Sequence, residues 1–429
     1  MNIEQLYSLY LRSGKVTTDT RNIPIKSIFF ALKGPNFNGN EFAREAIASG
    51  ASFAIVDEKE YEDEENFIYY VNNALNALQK LAQYHRSLLK IPVIALTGSN
   101  GKTTTKELIS CVLSQKYNVL ATEGNLNNHI GVPLTLLSIN AEHEIAVVEM
   151  GANHCKEIEF LCQIAEPDYG YITNFGKAHL EGFGGIEGVI KGKSELYAYL
   201  KKHKKSVFVN ADDALQWEHT KGLERIAFGT KENVDFHFQI NENETGYCPE
   251  IRYLGTSFQS RLIGNYNANN VAAAIAMGLQ FEVPLAQIKL GIEKYEADNN
   301  RSQAILSKKR QIILDAYNAN PSSMEAALQN FSRLSGDKAV VLGDMFELGA
   351  ESEYEHQRIA QVVQKMKFKS VFLIGEHFSR VQLKPTGTTK IFRSRDQAET
   401  YFTNHPLTEK HILVKGSRGM ALEKLLDVI

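Results

Sequence analysis

The chain has 429 residues, 43% hydrophobic and 23% charged, with a formal net charge of −3. That length suits three domains and that composition an ordinary globular protein; the charge supplies no overall basic field for nucleic acid or an anionic membrane. Met1 to Lys15 lacks the basic, apolar and small-residue succession of a signal peptide, and the longest apolar stretches, such as Val271 to Leu279, fall short of the ~20 residues that span a bilayer. The expectation is therefore a cytoplasmic protein without membrane insertion, working on small molecules as a monomer. Cys111, Cys155, Cys162 and Cys248 are irregularly spaced, which fits reduced thiols; His154 and Cys155 beside Cys162 match no zinc spacing.

Residues 1–90 mix short apolar runs, Ser27 to Leu32 and Phe53 to Val56, with helical patterns such as Phe42 to Ile47. The acidic stretch Asp57 to Glu65 reads as a solvated loop. A helical segment, Ala74 to Leu89, stops before Pro92 and marks a domain boundary. Residues 91–297 open with the apolar run Ile91 to Leu96, then a glycine-rich turn and a helical pattern, Lys102 to Leu113. Ile145 to Val148, Tyr169 to Thr173 and Ser206 to Asn210 alternate with helical segments, the rhythm of a parallel α/β sheet. The basic run Lys201 to Lys205 reads as a solvated helix end. Residues 298–429 repeat the rhythm with Gln311 to Asp315, Lys338 to Leu342, Ser370 to Ile374 and His411 to Val414, a Rossmann-like unit that places ligands at the carboxyl ends of its strands. The fold class is α/β in three domains, with a phosphate-loop parallel-sheet domain in the centre.

The strongest chemical signal lies where the first central strand ends. Gly98, Ser99, Asn100, Gly101, Lys102, Thr103 and Thr104 link a strand to a helix. Glycines let backbone wrap a phosphate, and the helix start presents free N–H groups to it. A lysine there reaches the β- and γ-phosphates, and the following hydroxyl suits Mg²⁺. The general phosphate-loop pattern has glycine where Leu96 stands. Glu149, at a strand's carboxyl end nearby, is a natural Mg²⁺ ligand.

The run Thr97-Gly-Ser-Asn-Gly-Lys-Thr-Thr104 resembles the phosphate loop of the Mur ligase family, and other stretches resemble that family in the same order along nearly the whole chain. Thr17-Thr-Asp-Thr-Arg21 and Ser27 to Gly34 look like its UDP-sugar domain, which implies substrate contacts from Thr18, Asp19, Thr20 and Arg21. Asn125, Asn127 and Asn128 match its asparagine-rich substrate segment. The resemblance makes His179 a second metal ligand beside Glu149. Asn267, Asn270, Arg301 and Asp315 become nucleotide contacts, although Tyr266 stands where the family usually has histidine. Lys193, Leu196 and Tyr197 match the spacing around a lysine that carries a CO₂-derived carbamate, with Lys191 as the rival.

Asp315-Ala-Tyr-Asn-Ala-Asn-Pro-Ser-Ser-Met324, Val341 to Gly349 and Val414 to Met420 are similar to the family member that adds a dipeptide. This places Tyr317, Asn318, Asn320, Lys415, Ser417 and Arg418 on substrate. What the resemblance implies is an ATP-dependent ligase joining D-alanyl-D-alanine to a UDP-N-acetylmuramoyl tripeptide through an acyl phosphate. ATP and two Mg²⁺ ions are the expected cofactors, and Lys102, Glu149, His179 and Lys193 the catalytic set. The alternative within the family adds a single amino acid. Outside it stand a phosphate-loop kinase or motor, and a nucleotide-binding regulator without turnover.

Overall fold

The computed structural model describes all residues except 242–247, 298–299, 308–309 and 385–387. The expected boundary between 297 and 298 therefore meets residues outside those described. Three main sheets follow one another along the chain, in the three-domain arrangement expected.

In the first, Val16–Thr17, Ile28–Phe30, Phe53–Val56 and Ile68–Tyr70 lie side by side and parallel. The helix Ala74–Leu88 buries Ala74, Leu78, Leu81, Ala82 and His85, one face at helical spacing, and Asn73 caps it by accepting from the Asn76 amide. The acidic stretch 57–65 departs from the expected solvated loop at its first residue. The Asp57 carboxylate accepts from the Ala74 amide at 3.2 Å and the Asn40 side chain at 3.0 Å, and pairs with Lys33 at 3.0 Å. It is a helix anchor, and its carboxylate stays charged because these donors outweigh its partial burial.

The central sheet has seven strands, all parallel: Phe236–His237, Glu224–Gly229, Ser206–Asn210, Tyr169–Ile172, Val93–Thr97, Ile145–Glu149 and Val119–Ala121, in that spatial order. Val93, Ile94, Ala95 and Leu96 are fully buried, as a strand covered by helices on both faces must be. Leu96, standing where the general pattern has glycine, is in register with Glu149 and belongs to the sheet core. The helix Lys102–Leu113 packs against helices Ala268–Gln280 and Leu285–Lys294. Beside them Gln239–Asn241, Glu250–Tyr253 and Thr256–Gln259 form a small antiparallel sheet held by the buried Ile251 and Phe258.

The third sheet orders Gln303–Ser307, Arg310–Asp315, His411–Lys415, Lys338–Gly343, Ser370–Ile374 and Thr389–Phe392. Only the edge strand Gln303–Ser307 runs antiparallel to its neighbour among these described strands. Asp315 and Lys415 end two adjacent strands in register, which sets both side chains at one carboxyl edge.

Candidate active site

The phosphate loop is shaped by the segment after the neighbouring strand. Thr173 Oγ1 donates to the Asn100 carbonyl at 2.6 Å, and Asn174 Nδ2 donates to it at 2.9 Å. Asn174 Oδ1 accepts from the Asn100 amide at 3.1 Å, and Ser99 Oγ donates to the Gly176 carbonyl at 2.7 Å. Gly98 has φ +145°, and a Cβ there would meet Thr173 Oγ1 at 1.9 Å. Gly101, at φ +78°, turns the chain into the helix beginning at Lys102. Lys102 Nζ donates to the Gly98 carbonyl at 2.8 Å, so the ammonium lies over the loop it serves. Burial holds its pKa below the usual lysine value; Arg301 adds to this and Glu149 opposes it.

Glu149 is 1% exposed. Its amide donates to Thr122 Oγ1 at 3.0 Å, and its Oε1 accepts from Asn127 at 2.7 Å and from Thr103 at 3.3 Å. Its Oε2 is buried without a hydrogen-bond partner. A buried carboxylate oxygen left without a donor is costly, and a cation satisfies it. The residues thus fit a divalent metal held at Glu149 beside the Thr103 hydroxyl.

Among the described residues no group of three His, Cys, Asp or Glu side chains is arranged to hold a metal ion; the polar side chains bonded to Glu149 Oε1 are the Thr103 hydroxyl and the Asn127 amide. His154 pairs with Glu157 at 3.5 Å, and Cys162 is buried against the Met150 sulfur. Of the four thiols only Cys162 is buried; the other three are half-buried.

His179 adopts a left-handed backbone at φ +53°. Its Nδ1 lies 2.5 Å from a Glu347 carboxylate oxygen, in contact but not aligned as a hydrogen bond. Lys193 is 0% exposed, donates to the Ala152 carbonyl at 3.0 Å and faces the Phe183 ring at 5.1 Å. Burial drives its pKa well below the usual lysine value; nearby Lys102 adds to the effect, and Glu157 and Glu195 oppose it. Lys191, two residues earlier, is exposed.

The C-terminal unit closes the other side. Lys415 Nζ is 2.6 Å from Asp315 Oδ2, and Asp315 Oδ1 accepts from the Ser302 amide at 3.3 Å. The Arg301 guanidinium stacks on Tyr317 at 3.7 Å, with Arg418 at 5.8 Å from the same ring. Tyr266 OH meets Ser302 Oγ at 2.7 Å. Asn270 Nδ2 donates to Asn267 Oδ1 at 2.9 Å, so these two amides face the same way, as their spacing predicts. Asn320 caps the helix Pro321–Ser332 by accepting from the Ser323 amide. Its Nδ2 also donates to Asn100 Oδ1 at 2.6 Å, a direct bond between the C-terminal unit and the phosphate loop. Ser417 Oγ accepts from the Phe346 amide at 2.9 Å.

One cleft of about 1360 Å³ joins these parts. It is lined by Ser99 to Thr104, Asn125, Asn127, Asn128, Glu149, His179, Asn267, Asn270, Arg301, Asp315, Tyr317, Asn318, Lys415, Ser417 and Arg418. Thr18, Asp19, Thr20, Arg21, Gly98, Lys193 and Asn320 are outside that lining. Gly98 and Asn320 bear on the cleft through the phosphate loop, and Lys193 through Ala152. Arg21 pairs with Asp19 at 2.8 Å in the N-terminal unit. Asn174, Ser322, Phe346 and Glu347 bound or line the cleft without having been singled out from the sequence. For Asn174 a signal existed, an amide directly after a strand beside a phosphate loop; Glu347 lies within the family-like stretch Val341 to Gly349, which marks the segment but gives that residue no task.

The family described as Mur ligase middle domain matches residues 96–278, and Mur ligase, glutamate ligase domain, matches 300–418. A UDP-N-acetylmuramoyl-tripeptide–D-alanyl-D-alanine ligase of Buchnera aphidicola is 33% identical, over 99% of this chain and 94% of the relative. The enzyme of that name from Bacillus subtilis is 35% identical, over 96% and 92%. Among solved structures, MurF from Acinetobacter baumannii superposes with TM-score 0.88 at 32% identity, covering 99% of this chain and 98% of that one. MurF from Thermotoga maritima in complex with ADP gives TM-score 0.84 at 26% identity, covering 97% of each chain.

Proposed function

The chain belongs to the Mur ligase family, and from that premise we propose that it joins D-alanyl-D-alanine to a UDP-N-acetylmuramoyl tripeptide at the expense of ATP. The observation that carries the reading is the single cleft in which the phosphate loop and Glu149 face Arg301, Asp315 and Lys415 of the C-terminal unit. A kinase or motor would use the loop but leaves that opposite wall without a task. We assign residues 1–90 to the UDP-sugar, 91–297 to ATP and 298–429 to the dipeptide.

The tripeptide's terminal carboxylate is a poor electrophile, so an oxygen of it attacks the γ-phosphorus and ADP leaves. The dipeptide amine then attacks the acyl-phosphate carbonyl carbon, phosphate departs with that carboxylate oxygen, and the amine loses a proton. The first step is positioning and charge neutralisation. The amides of Gly98 to Thr104 wrap the phosphates, and Lys102 turns from its loop carbonyls onto them. Asp315 takes ribose hydroxyls, while Arg301 leaves Tyr317 for the γ-phosphate. Asn267 and Asn270 flank the nucleotide. Thr103, Glu149, His179 and a carbamylated Lys193 would hold two Mg²⁺ ions, which neutralise phosphate charge when bound. Lys193 suits carbamylation because burial favours its neutral amine. That amine adds to CO₂, forming the N–C bond and releasing a proton.

On the sugar side, Thr17 sits at the end of a strand packed against the helix Gly131–Leu137. That helix starts from Asn128, whose Oδ1 accepts the Gly131 amide at 2.9 Å. We assign Thr18, Asp19, Thr20 and Arg21 to the pyrophosphate, and Asn125, Asn127 and Asn128 to the sugar–peptide portion. Tyr317, Asn318, Asn320, Lys415, Ser417 and Arg418 receive the dipeptide. Tripeptide labelled with ¹⁸O in its terminal carboxylate tests the chemistry: one label appears in the released phosphate. Release of unlabelled phosphate with amide product formed would exclude the acyl phosphate.

A further inference from the structure

Glu347 is far from His179 in sequence and belongs to the C-terminal unit, yet the two side chains meet at 2.5 Å in the cleft. Two residues beyond His179, the Glu181 amide donates to the Glu347 carbonyl at 3.2 Å. Both residues hold left-handed backbones, φ +53° at His179 and φ +62° at Glu347. Side chains other than glycine adopt that conformation at a cost and persist in it where the surroundings over-determine it. The surroundings of Glu347 do so. Asp344 accepts the amides of His377 and Phe378 at 2.9 Å each, the Met345 amide donates to His356 Nε2 at 3.0 Å, and the Phe346 amide donates to Ser417 Oγ. The loop that presents Glu347 is therefore pinned residue by residue before it reaches the central unit.

We propose that Glu347 is a positioning residue for His179, accepting a hydrogen bond from its Nδ1 and so aiming Nε2 at the metal when the C-terminal unit is docked. A histidine ligand needs its second nitrogen held, because that bond fixes both tautomer and ring direction. Hydrogen bonds of this kind are often poorly aligned before ligands bind and tighten afterwards, which suits a contact that is close but not yet linear. The consequence is a coupling. The metal side of the site is complete only when the unit that carries the dipeptide is in place, so acyl phosphate forms where the amine is ready to consume it. The inference rests on His179 as a metal ligand.

The test measures Mn²⁺ binding to the enzyme–ADP complex by electron paramagnetic resonance, without turnover, in wild type, Glu347→Ala, Glu347→Asp and His179→Ala. Loss of an outer carboxylate partner typically costs about 10–100-fold in metal affinity. Glu347→Ala is expected to weaken Mn²⁺ binding by such a factor, Glu347→Asp to recover part of it, and ADP binding in EDTA to stay within about two-fold. Unchanged Mn²⁺ affinity in Glu347→Ala, with His179→Ala impaired, overturns the positioning role alone. Unchanged affinity in His179→Ala overturns both it and the ligand assignment beneath it. A Glu347→Ala protein whose circular dichroism differs from wild type is replaced by Glu347→Leu, which keeps bulk but has no acceptor; the same loss of affinity is expected, and full affinity overturns the proposal.

Discussion

Single residues divide by whether local chemistry or distant packing gives them their role. Lys102 and Thr103 follow a buried strand and two glycines, so their place in a strand–turn–helix loop is readable from sequence alone, and Glu149 ends the adjacent strand. Lys193 is different. From the residues it is one of two nearby lysines; burial separates it from exposed Lys191, and burial at a helix's inner face depends on Phe183 and Ala152. Lys193→Ala is expected to lose roughly 10²–10³ in kcat, the scale of an electrostatic group acting on the transition state, while Lys191→Ala stays within a few-fold. Equal, mild losses in steady-state assays of the two variants would remove Lys193 from the site. Short carboxylic acids added to Lys193→Ala are expected to restore part of the rate by filling the vacated oxygen position. The Glu347–His179 contact could not be read from sequence, because two left-handed residues from different units carry no shared pattern.

Elements were legible where one period dominated. The helix Lys102–Leu113 and the strands Ser206–Asn210 and Ser370–Ile374 lie where hydrophobic pattern puts them. The antiparallel sheet around Ile251 and Phe258 was not legible: Glu250–Tyr253 and Thr256–Gln259 bury one side chain each, too few to make an alternation. The antiparallel edge strand Gln303–Ser307 was missed because direction is set by pairing with Arg310–Asp315, not by its own residues. The phosphate loop depends on an element it does not belong to. Gly98→Ala sets a Cβ against Thr173 Oγ1 at a position with φ +145°, so the loop or the strand end must move. A loss of about 1–3 kcal/mol by overpacking and weakened ADP binding are expected, read by thermal denaturation and calorimetry. Wild-type ADP affinity in this variant would show that the loop's shape does not rest on that contact.

At the scale of the molecule, the central unit meets the C-terminal unit through several segments, the phosphate loop and the stretch around Lys177 among them. Lys177 Nζ pairs with the buried Glu355 at 2.6 Å, the Lys177 amide donates to Ser322 Oγ at 3.0 Å, and Asn100 meets Asn320 at 2.6 Å. Glu355 keeps a second partner in Arg358 at 2.7 Å, and Lys177 is partly exposed, so Lys177→Ala is expected to cost only about 1 kcal/mol in stability. Its effect falls on docking. KM for the dipeptide should rise several-fold while ADP affinity is retained; an unchanged KM in initial-rate measurements would separate this pair from closure. Among the described residues no helix is long and apolar enough to cross a membrane.

The central claim is that one cleft between two units holds ATP between the phosphate loop and Arg301 and Asp315, and seats a dipeptide on the C-terminal side. Measuring ADP release with UDP-N-acetylmuramoyl tripeptide present, with D-alanyl-D-alanine, alanine or glutamate offered in turn, tests it most directly. Sustained release with D-alanyl-D-alanine, coupled to amide product and absent with either single amino acid, is the predicted result. Equal turnover with a single amino acid, or sustained ADP release that needs no amine, would contradict it.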